Sequence, residues 1–282
     1  MIKADFKDDW KEFLEKEMTA YGLQFAPSKS LADNTSRYLN AKRRIPHRTP
    51  RNVHESNELC IPMQYLEDYA ELKKVMSTGG ELKRYLSRDI QKEQADKNDG
   101  LLNAWGIQHL HFRPSGTSDV LFVKITDTDV FVIQCLSHGS GHLEVWVEKT
   151  LPQILHDNWP EIELGKLVGV SADPLTPAQM LSLRRKNGNF AIALSDGTVF
   201  VSPNGGISCS GRCVSDVLNT DKILVSLENH QKLVEANEMR FREALNLAPS
   251  EELSLKLVFD NDHECWLYEP NKQARFTLTI RE

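Results

Sequence analysis

The chain has 282 residues, of which 40% are hydrophobic and 26% charged, and its formal net charge at neutral pH is −6. This balance is typical of a globular protein, and the length allows a substantial core in one large domain or two smaller ones. It argues against a disordered chain and against a protein that coats nucleic acid by bulk positive charge.

The cysteines and the N-terminal residues indicate the cellular compartment of the protein. The first ten residues are rich in charge, and no apolar run approaches the roughly 20 residues of a membrane span. We therefore expect a cytoplasmic protein with free thiols and no membrane partner. Cys209 and Cys213 lack a second ligand pair at zinc spacing, so we expect neither metal nor cofactor. The five cysteines are odd in number and scattered: Cys60, Cys135, Cys209, Cys213 and Cys265.

The N-terminal part, residues 1–98, is predicted to be mainly helical. Apolar residues from Phe6 to Met18 recur at helical spacing, with Asp5 as the N-cap. Helical stripes resume after Pro62, and Gly79-Gly80 ends the first of them. Between these helices, residues 27–62 are poor in apolar side chains and contain three prolines, which favours a loop or an extended arm.

From residue 106 the hydrophobic period changes to two. Strands are predicted at 109–113, 120–125 and 130–136, and the last two are joined by a turn at 127–129. These strands define a central β-rich domain, residues 99–161.

A C-terminal α+β region, residues 162–282, is predicted to follow. It contains a helix begun by Thr176-Pro177, a longer helix over 221–245 and a β-meander over 253–280. The sequence therefore predicts an α+β fold with a central antiparallel β-sheet, a helical N-terminal section and a C-terminal β-meander.

Histidines concentrate in the predicted sheet. Alternate residues of a strand share a face, so His109, His111 and Arg113 are expected to project together. Lys124 interrupts an otherwise apolar strand on the expected face, and His138 follows the third strand, where side chains become accessible. We predict that these five residues form a catalytic site.

Two chemistries and one structural role suit this set. Imidazoles near neutral pKa can move protons during RNA cleavage, while Arg113 or Lys124 neutralises the developing phosphorane charge. Three histidines can instead hold a metal ion. Histidines that alternate on a strand can also simply line a solvated sheet face.

A basic segment lies within the predicted loop. Its residues are candidates for salt-dependent contacts to a nucleic-acid backbone, although a solvated loop is the simpler interpretation. The candidates are Lys42, Arg43, Arg44, Arg48 and Arg51.

The order of elements across residues 106–113, 120–125 and 130–138 resembles the RelE/barnase-type ribonuclease toxins. The shared features are a strand with polar outward residues, a hairpin bearing a basic residue, and an apolar strand that ends in a histidine before a loop. The resemblance covers about 35 residues. It implies cleavage of RNA and, as a partner, an antitoxin or other protein.

We therefore expect a cytosolic toxin-like or defence-effector ribonuclease that binds RNA and cleaves it without a metal. The first alternative is a non-enzymatic interaction or regulatory protein, either nucleic-acid-associated or a phage-defence component. The second is a metal-dependent hydrolase. The sequence does not indicate the oligomeric state.

Overall fold

A computed structural model describes residues 2–87, 90, 99–162, 165–167, 169–259 and 265–277. The chain forms two compact units, one made of residues 1–38 and 218–282 and the other of residues 39–217. Of the predicted region boundaries, the one after residue 98 lies outside the described residues. The one after residue 161 falls inside the second unit.

The elements make the fold α+β, as the sequence predicts. The described helices are α1 (Phe6–Ala20), α2 (Leu31–Arg44), α3 (Leu66–Thr78), α4 (Gly100–Trp105), α5 (Thr150–Asn158), α6 (Pro177–Arg185), α7 (Val214–Ala236) and α8 (Glu238–Ala244). The described strands are β1 (Ile2–Lys3), β2 (Asn52–Glu55), β3 (Gln108–His111), β4 (Asp119–Ile125), β5 (Asp129–Ser137), β6 (Gly165–Leu167), β7 (Ile192–Ala193), β8 (Val199–Val201), β9 (Leu253–Ser254), β10 (Lys256–Phe259), β11 (Cys265–Glu269) and β12 (Ala274–Thr277).

In the first unit, α1 forms as its spacing predicts. The Asp5 side chain accepts a hydrogen bond from the Asp8 N–H at 3.0 Å and so caps the helix. The buried face carries Trp10, which is 1% exposed and packs edge-on against Phe259 with ring centroids 4.9 Å apart. Helix α1 is thus anchored by aromatic packing on the C-terminal strands.

Those C-terminal strands form the predicted meander, with antiparallel order β10-β11-β12. Residues 278–280, which the prediction includes in the last strand, lie outside the described residues. The predicted helix over 221–245 differs in detail. Helix α7 already starts at Val214, and Asn237 separates it from α8.

Asp9 is a carboxylate at the interface between α1 and β10. Its Oδ2 accepts the Leu257 N–H at 2.7 Å, and burial raises its pKa from 3.8 to about 6. A group whose folded pKa is raised binds more protons in the folded state. Protonated Asp9 therefore favours the folded state below about pH 4, and this contribution to the free energy of unfolding is lost as the pH rises from about 4 to about 6.

We expect Asp9→Asn to stabilise the protein above pH 6, because the neutral amide keeps an acceptor for Leu257 without the cost of burying a charge. The gain is on the order of 1 kcal/mol, reduced from the full shift because Asp9 is only half-buried. Urea unfolding at pH 4 and pH 8 measures it, and the gain should vanish at pH 4. Asp8→Asn, an exposed change on the same helix, should give no such gain. An equal gain from both would contradict the assignment to burial.

In the second unit, the predicted three strands are confirmed, and they belong to a four-stranded sheet of order β2-β5-β4-β3. The β3–β4 and β4–β5 pairs are antiparallel, with a register irregularity between Phe122 and Val123. Strand β2 adds to β5 in parallel. A smaller sheet in the same unit has the order β6-β8-β7.

The prediction of a loop or extended arm over residues 27–62 is wrong in its centre, where residues 31–44 form α2 and residues 52–55 form β2. The helix is hard to see in the sequence because several of its buried side chains are polar. Buried Asn34, for example, accepts from the Ala26 N–H and donates to the Ala26 carbonyl, both at 3.0 Å. Helix α2 ends at Arg44, before Pro46 disfavours a further helical turn.

One hydrophobic core of the second unit is built from residues between 101 and 207. Trp105, Phe122 and Phe200 are fully buried in it, so residues on both sides of the predicted boundary at 161 share one core. Met180 also belongs to this core and fixes α6 against it. This packing brings the end of α6 to the site described next.

Candidate functional site

The three predicted histidines lie close together. The ring centroid of His109 is 6.1 Å from that of His111 and 6.3 Å from that of His138, and the His111 and His138 centroids are 5.1 Å apart. His109 and His111 come from alternate positions of β3, and His138 directly follows β5. The spacing is short enough for all three to act on one small ligand.

These histidines open into a cavity of about 500 Å³. The rings of His109 and His111 are largely shielded from solvent, whereas His138 is half-buried. His111 is 9% exposed, and the side chain of His109 is 13% exposed. The cavity is lined by Arg44, Ser87, Asp99, Gly100, Leu101, His109, His111, His138, Leu143, Trp146, Leu181, Arg184 and Arg185. Among these side chains three are guanidinium groups and one is a carboxylate.

The backbone of residues 117–118 sets two of the imidazoles in opposite tautomers. The Thr117 N–H donates to His111 Nδ1 at 3.0 Å, so that nitrogen is an acceptor and the proton of the neutral ring is on Nε2. The Ser118 carbonyl lies 2.7 Å from His138 Nδ1. A carbonyl only accepts, so His138 Nδ1 carries a proton and its Nε2 has a lone pair when the ring is neutral.

His109 is the most enclosed of the three. Its Nδ1 lies 4.0 Å from Asp99 Oδ2, and its ring meets Trp146 with centroids 5.0 Å apart. Burial lowers the pKa of His109 below 6.5, and the Asp99 carboxylate opposes that shift only in part. His109 is thus neutral at pH 7.

Asp99 is itself fixed by the start of α4, where its Oδ1 accepts the N–H groups of Leu101 and Leu102 at 3.1 and 3.0 Å. Asp99 is not among the site residues predicted from the sequence. Its N-cap position before an apolar run was a signal that could have marked it as ordered.

Two of the predicted catalytic residues lie elsewhere. Arg113 is beyond the end of β3, so strand alternation does not govern it, and its Nη2 pairs with Asp68 Oδ2 at 2.7 Å. Lys124 lies four residues along β4 from Val120, the partner of His111, a separation of about 13 Å. It lines a different cavity of about 840 Å³, next to β5 and β6. Neither side chain lines the histidine cavity.

The five basic residues predicted to bind nucleic acid do not lie together in one site. Arg43 pairs with Asp216 at 2.9 Å, and Arg48 pairs with Glu81. Arg51 is buried and donates to the carbonyl oxygens of three residues, Thr126, His47 and Thr49. Lys42 lies in the last turn of α2. Arg44 alone of the five lines the histidine cavity.

The cationic residues that replace Arg113 and Lys124 in the cavity come from α6. Thr176 caps this helix through a capping box with Gln179, as the Thr176-Pro177 pair indicates. Arg184 lies four residues after Met180 and so on the same helix face. The sequence shows two arginines at a helix end, but nothing local links them to β3.

Among the described side chains, no group of three or more His, Cys, Asp and Glu residues is placed to hold a metal ion. Over the same ranges, none of the helices combines the length and apolarity of a membrane span. No family model, curated protein or solved structure matches the chain.

Proposed function

We propose that the histidine cavity is the active site of a metal-independent ribonuclease. The observation that carries this proposal is the opposite tautomers of His111 and His138 around a shared cavity. One ring offers a proton acceptor and the other a hydrogen-bond donor, while the arginine-lined wall attracts a phosphodiester.

The reaction uses the 2′-hydroxyl of the RNA as the nucleophile. His138 Nε2 takes the hydroxyl proton as the 2′-oxygen forms a bond to phosphorus and the bond from phosphorus to the 5′-oxygen breaks. His111 Nε2–H donates to a non-bridging oxygen, where negative charge develops. Water protonates the departing 5′-oxygen, and the resulting hydroxide recovers the proton from His138. The products are a 2′,3′-cyclic phosphate and a 5′-hydroxyl.

The buried His109 supports this arrangement. As a neutral ring packed against Trp146, it excludes water from one side of the site without adding a positive charge that would lower the basicity of His138. Packing against Trp146 and Phe122 keeps the ring in place.

The proposed setting is the cytoplasm, with a toxin-like or defence role. Cys60, Cys135, Cys209 and Cys213 are free thiols, which suits a reducing compartment. The toxin-like role rests on the proposed resemblance to RelE/barnase-type toxins, whose expected arrangement is an antiparallel β3-β4-β5 order with a histidine after the last strand.

The test is incubation of the purified protein with single-stranded RNA in EDTA. We expect cleavage to persist, to yield 2′,3′-cyclic phosphate ends, and to be absent on DNA or 2′-O-methyl RNA of the same sequence, because these lack the nucleophile. Mass spectrometry of the products identifies the ends. Cleavage that EDTA abolishes would instead support the metal-dependent hydrolase.

A second candidate function is binding of a nucleic acid or another phosphate-bearing partner without catalysis. The three guanidinium groups in the cavity favour it, since they attract phosphate whether or not a bond breaks. RNA that is bound in a filter assay but remains intact would support this regulatory role.

A further inference from the structure

Arg184 is a buried cation, and only some of its N–H groups have hydrogen-bond acceptors. It is 9% exposed, and its Nη1 donates to the Gly100 carbonyl. Within the described part of the chain, its Nε and Nη2 atoms are buried without a hydrogen-bond partner. A buried donor left unsatisfied destabilises the folded protein, and more so on a charged group. Such an arrangement is expected where a ligand supplies the missing acceptors.

Aromatic rings hold this guanidinium group in place. It lies 4.9 Å from the ring centroid of Trp105 and 5.1 Å from that of Phe190. These cation–π contacts fix the planar group before any ligand arrives, so little side-chain entropy remains to be lost on binding. Burial lowers the pKa of Arg184 to about 10, which still leaves it charged at neutral pH.

Different elements position Arg184 and the two proposed reacting histidines. The anchor of Arg184 is Gly100, the neighbour of Asp99, and Asp99 in turn faces His109. His111 and His138 are held instead by the backbone of residues 117–118. A volume of about 500 Å³ has room for more of a ligand than one phosphodiester.

We propose that Arg184 forms a binding subsite for a phosphate group of the substrate other than the one that reacts, an inference that rests on the proposed RNA cleavage. Its two unused nitrogens, Nε and Nη2, can form paired hydrogen bonds with two phosphate oxygens. Arg185 lines the same cavity and adds positive charge. The substrate class is therefore a short strand with at least two phosphates.

Binding is tested first, without catalysis. We expect inorganic phosphate to change the tryptophan fluorescence of the wild-type protein saturably, because Trp105 contacts Arg184. Arg184→Lys keeps the positive charge and the aliphatic part of the side chain but loses the planar guanidinium group that forms paired hydrogen bonds. It should therefore weaken phosphate binding about tenfold. Arg240→Lys, at an exposed arginine outside the cavity, is the matched control and should bind as the wild type does. Circular dichroism verifies folding, and Arg184→Gln is a second variant.

Cleavage then identifies the source of the phosphate. A dinucleoside monophosphate is compared with the same molecule carrying an added 5′-phosphate, with one carrying an added 3′-phosphate, and with a trinucleotide that has only internal phosphates. One added phosphate should raise kcat/KM about tenfold in the wild type, and Arg184→Lys should lose that gain. The form that shows the gain distinguishes a terminal from an internal phosphate.

The two proposals fail separately. Phosphate binding that depends on Arg184, in a protein that leaves every RNA intact, would retain the subsite and refute the ribonuclease. Cleavage that gains nothing from any added phosphate, with equal phosphate binding by folded Arg184 variants and the wild type, would refute the subsite alone.

Discussion

Replacing His138 by asparagine is expected to lower the rate of RNA cleavage by a factor of about 10²–10⁴ while leaving the fold intact. The amide nitrogen of asparagine can replace Nδ1 as the donor to the Ser118 carbonyl, so the local contact survives. The lone pair of Nε2, which is the proposed proton acceptor, is lost. Single-turnover cleavage and a thermal melt together measure the two effects.

His111→Asn is the companion change. The asparagine Oδ1 can accept the Thr117 N–H as Nδ1 does, whereas the Nε2–H donor disappears. A loss of about 10²–10³ is expected, the usual size for one donor to a developing oxyanion. His47→Asn, at an exposed position outside the cavity, is the matched control and should cleave normally. Unchanged cleavage in a folded His138→Asn protein would show that the base is another group.

Gly79→Ala is expected to be the most destabilising of the small substitutions considered. Gly79 ends α3 with φ 76° and ψ 28°, a left-handed conformation that an alanine resists. A Cβ there would also lie 2.7 Å from Pro50 N and from the Thr49 carbonyl carbon, which are backbone atoms. The combined cost is on the order of 3 kcal/mol, which corresponds to a fall in Tm of about 6–12 °C.

Gly197→Ala distinguishes the cost of the left-handed backbone conformation from the cost of a steric clash. Gly197 also has a positive φ, 84°, but no heavy atom lies within 4 Å of the position of an added Cβ. We expect a cost of about 1 kcal/mol there, from backbone conformation alone. Scanning calorimetry compares the variants, and equal falls in Tm would argue against steric exclusion at Gly79.

The sequence predicted the histidine cluster because the period of a strand is local. Alternation placed His109 and His111 on one face, and the end of an apolar run marked His138. The same reasoning failed for Arg113, because β3 ends at His111 and alternation ends with it. It failed for Lys124 because this residue, although only two residues along β4 from Phe122, the partner of His109, lines a different cavity.

Helix α2 shows why the hydrophobic pattern of a sequence does not predict every helix. Its buried Asn34, Thr35 and Ser36 read as loop residues in the sequence, yet they lie in a helix. Buried polar groups of this kind are accommodated by tertiary hydrogen bonds, which no local period records. Asp99 and Arg184 belong to the cavity for a similar reason, since only packing brings α4 and α6 to β3.

The hydrogen bonds that orient His111 and His138 come from main-chain atoms of two consecutive residues, an N–H at 117 and a carbonyl at 118. Any residue except proline provides the first group, and every residue provides the second. The proton positions are therefore set by the backbone, and the Thr117 side chain helps to hold that backbone by accepting the Phe112 N–H at 3.3 Å and donating to the Asp119 carbonyl at 2.6 Å. Both the proton positions and these contacts depend on the number of residues between His111 and Asp119, so an insertion or deletion in that connection would disrupt the chemistry.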